Sequence, residues 1–145
     1  MESDHTRKIE TPPTIAQSGN GKGAYVIFRT RFKGKHRNVF YEVVDLAQQI
    51  RALPDVDASI AEAQELSSQL REKKALLTEA YTHLILDWNW ANDEGEPLPR
   101  PTVLGVIEGE LYQDQERWIN EQLRLLFKER ATEGKKTSGT TSLDG

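Results

Sequence analysis

Several groups of residues in this chain have the types that chemistry requires, and their spacing decides how far each can go. Gly19-x-Gly21-x-Gly23 has the glycines of a phosphate-cradling loop. It lacks the Gly-x-x-x-x-Gly-Lys-Ser/Thr spacing, and no strand is expected before it, so it reads as a linker. Asp87-x-Asn89 with Asn92, Asp93 and Glu94 offers oxygen ligands for calcium. Ala91 stands at a ligand position and Gly95 is misplaced for a tight EF-hand loop, so capping of a helix exit accounts for these residues better. His5, His36 and His83 fall in an arm, a turn and a helix with no two at metal-ligand spacing. The many carboxylates lie on amphipathic stretches whose polar face is solvated, and neither a nucleophile elbow nor a triad can be picked out. The chain therefore reads as a non-enzyme, with no catalytic residue, cofactor or metal site expected.

Two constellations suit binding. Arg29, Arg31, Lys33, Lys35 and Arg37 crowd together with His36 beside Phe28, Phe32 and Phe40. Cations interleaved with aromatic rings can hold phosphate and stack bases. The competing reading, a solvated strand face whose cations discourage edge pairing, is preferred because the rest of the chain is acidic. The second constellation runs from Asp87-Trp88-Asn89-Trp90 through Asn92-Asp93-Glu94-Gly95 into Pro97-Leu98-Pro99-Arg100-Pro101. Tryptophan is costly to leave in water, so Trp88 and Trp90 should anchor this segment against the core or against a partner. The alternating prolines stiffen residues 97–101 into an extended strap. Trp88, Trp90, Leu98 and Trp118 are the candidate partner-binding residues. Filling the protein's own core is the equally supported alternative for each tryptophan.

The elements that must position these residues are bounded by composition. With 145 residues the chain has room for one modest domain. Hydrophobic residues at 37% against 29% charged imply a small core, polar ends or a partner that completes the fold. A formal charge of −4 argues against attraction of the whole molecule to nucleic acid or to an anionic membrane. The absence of cysteine excludes disulfides and thiolate chemistry. No apolar run approaches a membrane span and the N-terminus lacks a signal-peptide core, so a soluble, cytoplasmic protein is expected.

Residues 1–23 are polar, carry Pro12-Pro13 and read as a flexible arm. Residues 24–44 are rich in β-branched and aromatic side chains around Lys33-Gly34-Lys35-His36 and read as a β-hairpin, with Val26, Phe28 and Phe32 on its core-seeking face. Such a hairpin must pack on helices or extend a sheet in a second copy, which would make a homo-oligomer. Asp45 is read as the cap of a short helix over about 45–53, closed by Pro54. The recurrence of Ala63, Leu70, Leu77, Tyr81, Leu84 and Trp88 predicts one long amphipathic helix over 57–90. At roughly 50 Å, it is longer than a small core can cover. A weak helical turn over 102–110, a helix over 113–131 carrying Ile119, Leu123, Leu126 and Phe127, and a flexible tail over 132–145 complete the chain. The expected fold class is mainly α (α+β), an N-terminal β-hairpin packed on a small bundle of helices, with one domain over 24–131.

Leu86-Asp87-Trp88-Asn89-Trp90 through Asp93-Glu94-Gly95-Glu96-Pro97-Leu98-Pro99, set within this layout, resembles the tail assembly chaperones of tailed phages and prophages. The resemblance implies a non-structural protein of the host cytoplasm that binds the long helical tape measure protein and helps recruit tail tube subunits. It also implies a second, longer product made by ribosomal frameshifting on a run encoding Gly-Lys, for which Gly134-Lys135-Lys136 is suitably placed. The alternatives are a small nucleic-acid-binding accessory protein using the basic segment, and a minor structural protein of the virion.

Overall fold

The computed structural model describes residues 5–143, with side chains through Arg130. The fold is mainly α with a three-stranded antiparallel sheet in the order β1-β2-β3. β1 spans Thr6–Glu10, β2 Tyr25–Arg29 and β3 Ile85–Trp88. The helices are α1 over Gly34–Ala52, α2 over Ile60–Leu84, α3 over Val106–Glu110 and α4 over Gln113–Leu143, and a 3-10 turn at Asp57–Ser59 precedes α2. No helix among the described residues is long and apolar enough to cross a membrane.

β2 behaves as its alternation predicts. Val26 and Phe28 are fully buried, while Ile27 and Arg29 lie half-buried on the opposite face. Its neighbours differ from the expectation. The first partner comes from the supposed arm: β1 pairs from Thr6 opposite Arg29 to Glu10 opposite Tyr25, and the Thr11 N–H extends the ladder to the Ala24 carbonyl at 2.8 Å. Only Ile9 of β1 packs on the core, which is why an edge strand this polar carries almost no hydrophobic signal. The second partner is β3, with Val26 opposite Trp88 and Phe28 opposite Ile85 across a register irregularity.

The expected second strand of the hairpin is the front half of α1. Val39, Phe40, Val43 and Leu46 are buried at helical spacing, so burial of one helix face outweighs the β-propensity of these residues. Gly34 opens the helix rather than a turn, after Lys33 in extended conformation. Asp45 is not a cap. It lies in the middle of α1 and accepts a hydrogen bond from Gln49 Nε2 at 2.7 Å. The helix does end before Pro54, where extended Leu53 donates its N–H to the Ile50 carbonyl.

α2 stops at Leu84, six residues short of the expected end at Trp90, because residues 85–88 pair with β2. One cluster joins Ile9, Val26 and Phe28 to Val39, Phe40 and Val43 of α1, Leu77, Ala80, Tyr81 and Leu84 of α2, Ile107 of α3, and Ile119, Leu123 and Phe127 of α4. α4 is bounded by Gln113 and Leu143, and the side chains of the expected tail, including Gly134-Lys135-Lys136, lie outside the described residues.

Candidate functional site

The Trp-Asn-Trp segment is a strand and its extension, not a helix exit. Two residues of strand place Trp88 and Trp90 on one face, where their rings stack at 5.1 Å and 6°. A helix would have turned them about 200° apart. Trp118 of α4 leans against Trp90 at 5.8 Å. Trp90 is 1% exposed and Trp88 7%, so the indoles fill the protein's own core and the contact-surface reading is corrected for both. Each indole N–H is matched: Trp88 Nε1 donates to the Pro99 carbonyl and Trp90 Nε1 to the buried Thr11 Oγ1, both at 3.0 Å. Trp118 and Leu98 are half-buried and pack on the same cluster.

Asn89 points the other way and is tied in as firmly. Its Oδ1 accepts from Tyr25 N–H at 2.8 Å and its Nδ2 donates to the Gly23 carbonyl at 2.9 Å, fixing the entry to β2. The acidic turn after Trp90 reverses the chain. Asn92 Oδ1 accepts from the N–H groups of Glu94 and Glu96, Gly95 takes φ 82°, and Leu98 N–H returns to the Trp90 carbonyl at 3.0 Å. The oxygens that suggested calcium thus shape a turn, and the Asp93 carboxylate accepts from the Tyr112 hydroxyl. The proline strap then lies under Trp88, with Pro101 buried. Behind it, buried Gln115 reaches back from α4 to accept from Tyr112 N–H and donates to the Ile15 carbonyl, both at 3.0 Å. The long β1–β2 connection is pinned this way. No periodicity in the sequence signals it.

The basic residues separate. Arg29 Nε donates to the His83 carbonyl at 2.8 Å, and Arg37 is half-buried beside Asn38. Arg31, Lys33 and Lys35 are exposed around the start of α1. The aromatic rings meant to accompany them turn inward: Phe28 is fully buried, and Phe32 and Phe40 pack edge-on against Phe127 at 4.7 and 5.3 Å. The cations therefore lack the base-stacking platform that the nucleic-acid reading needs.

Reading the front half of α1 as a strand hid the full length of the pair it makes with α2. These helices form an antiparallel hairpin whose front half sits on the sheet. A groove of about 330 Å³ runs between them, lined by Lys35, His36, Val39, Glu42, Leu76 and Glu79. Its Leu76 is 52% exposed, and Glu42 pairs with Lys73 at 3.3 Å. Farther out, every side chain from residue 47 to 69 is half-buried or exposed, including Ile50, Leu53, Leu66 and the outward-facing Val56 and Ile60. On the other side of α2, burial and then the Glu108 charge raise the proton affinity of Glu116, with Lys74 opposing.

No protein-family model matches the chain, and no curated protein or solved structure matches it either.

Proposed function

We propose that this chain is a non-catalytic assembly protein that holds a helical partner along the outer half of the α1–α2 hairpin, acting as a tail assembly chaperone for a tape measure protein in the cytoplasm of a phage-infected cell. One observation carries the reading: residues 47–69 form two helical arms and a connection in which no side chain reaches full burial. Two helices cover only one side of each other, so Ile50, Leu53, Leu66, Val56 and Ile60 keep apolar surface that a third helix can cover. The likeness of residues 86–99 to tail chaperones supports the choice of partner, and the burial of Trp88 and Trp90 transfers the contact role from the tryptophans to the hairpin.

The test is co-purification with the tape measure protein encoded in the same genome, using the intact chain and the variants Val56→Glu and Ile60→Glu. Both residues are more than half exposed, at 55% and 53%, so stability should change by no more than about 0.5 kcal/mol while co-purification falls at least about tenfold. Undiminished binding by both variants would remove the hairpin from the interface. Recovery of the chain from purified particles would replace the chaperone with a structural virion protein.

A further inference from the structure

We propose that the junction where α1 begins and α2 ends is an acid-responsive latch, in which protonation of His36, stacked on His83, loosens the seat of the helical hairpin on the sheet. The two imidazoles come from the first turn of α1 and the last turn of α2 and lie face to face, 4.8 Å apart and 12° from parallel. His36 is 7% exposed. Neutral rings stack well in this arrangement, whereas two charged rings would set cation against cation, so a proton arriving on His36 is disfavoured by its partner as well as by burial.

The surroundings add to that cost. Lys33 and Lys35 face His36 from the start of α1, and Arg29 of β2 holds the His83 carbonyl at 2.8 Å. The N-terminus of α1 has neither an acidic residue in its first turn nor a side-chain cap, so the positive end of its dipole is uncompensated. Opposing these are Glu79 of α2 and, across the groove, Glu42, which is paired with Lys73. Positive charge is already in excess at the point where another would arrive.

Burial first, then His83, Lys35 and Lys33, hold the His36 proton affinity below its ordinary value of 6.5, and Glu79 only partly offsets them. A group whose folded value is depressed gives stability that is present above its unfolded value and lost as pH falls through the folded one. The window therefore opens near 6.5 and extends downward. The carboxylates elsewhere in the chain whose affinities shift do not imitate it. Glu121 and Glu129 are lowered from 4.5 and act in more acidic solution, and Glu116 is raised, which gives the opposite sign.

The experiment is thermal unfolding of the full chain at about pH 7.5 and about pH 5.5, with amide exchange followed at both pH values and His Cε1 protons titrated by NMR. The wild type should lose about 3 °C or more of Tm at the lower pH. Amides of the first turn of α1 and the last turn of α2 should lose protection several-fold relative to those of α4 after correction for intrinsic exchange rates. His83→Gln, at an exposed position, should keep the fold, shrink the Tm loss and move the His36 titration toward 6.5. His36→Gln should abolish the loss. A wild-type Tm that is flat with pH, a His36 that titrates normally, or a Tm loss unchanged in His83→Gln would each overturn the latch, independently of any result with a partner.

Discussion

The tryptophan-sealed half of the molecule and the outer half of the helical hairpin solve burial in opposite ways. Around Trp88 and Trp90 both indole donors, both ends of the Asn89 amide and both ends of the Gln115 amide have partners on other segments or across a turn. Along residues 47–69 the side-chain hydrogen bonds seen are local ones within a helix, from Gln49 to Asp45 and from Gln69 to Glu65, and none of the apolar side chains is fully buried. The side chains best suited to recognition by type are consumed in holding the fold, and ordinary aliphatic residues are left with surface to offer. Residue type alone is therefore a poor guide to which surface this fold leaves open. On the proposed reading, its partner-facing surface is set by which helix face lacks a third neighbour.

The strongest way to break that comparison is Trp90→Ala. Removing a side chain 1% exposed takes away the stack with Trp88, the contact with Trp118 and the donor to Thr11 Oγ1. A loss of about 3–5 kcal/mol is expected in denaturant unfolding, large enough to leave a small domain marginal. A loss under about 1 kcal/mol combined with failure to bind a partner would return Trp90 to the contact surface.

A smaller effect is expected at Gln115, because the residue contributes hydrogen bonds more than apolar area. Gln115→Ala strands the Tyr112 N–H and the Ile15 carbonyl, and it should cost about 1–3 kcal/mol. Amide exchange should accelerate in the connection between β1 and β2 more than in α2. Uniform acceleration would mean that the connection is held by something other than Gln115.

How much of this was legible in the sequence depends on whether a residue's periodicity or its tertiary partner decided its state. Ile119, Leu123, Leu126 and Phe127 predict α4's buried face because their helical spacing and their burial agree. Val26 and Phe28 predict β2 for the same reason with period two. The stretch from Val39 to Val44 satisfies both periods, and only packing of Val39, Phe40 and Val43 on α2, the sheet and α4 selects the helix. Ile85-Leu86-Asp87-Trp88 continues the pattern of α2 and leaves the helix because β2 offers a pairing edge, a fact held far away in the chain. Trp-Asn-Trp did contain the answer in its spacing, since i and i+2 share a face only in a strand. β1 was not legible, because an edge strand with one core-facing apolar residue, Ile9, has no pattern to show. The candidate site was legible only in outline: the length of the predicted long helix left part of it uncovered, but which face lacks a neighbour is encoded in no local pattern.

The smallest expected effect is the sharpest test of the open half. Leu66 of α2 is half-buried, so Leu66→Ala should cost about 1 kcal/mol, well below the roughly 2–5 kcal/mol typical of a fully buried leucine such as Leu84 or Leu123. In the same preparation, amides of residues 62–69 should exchange faster than those of residues 77–84, whose side chains reach the core. If Leu66→Ala instead costs as much as a core truncation, the outer half must be covered in solution. Raising the protein concentration then distinguishes the cover: a second copy makes stability concentration-dependent, whereas a contact within one chain does not. A small, concentration-independent loss leaves the hairpin uncovered, which is the state that a helical partner requires.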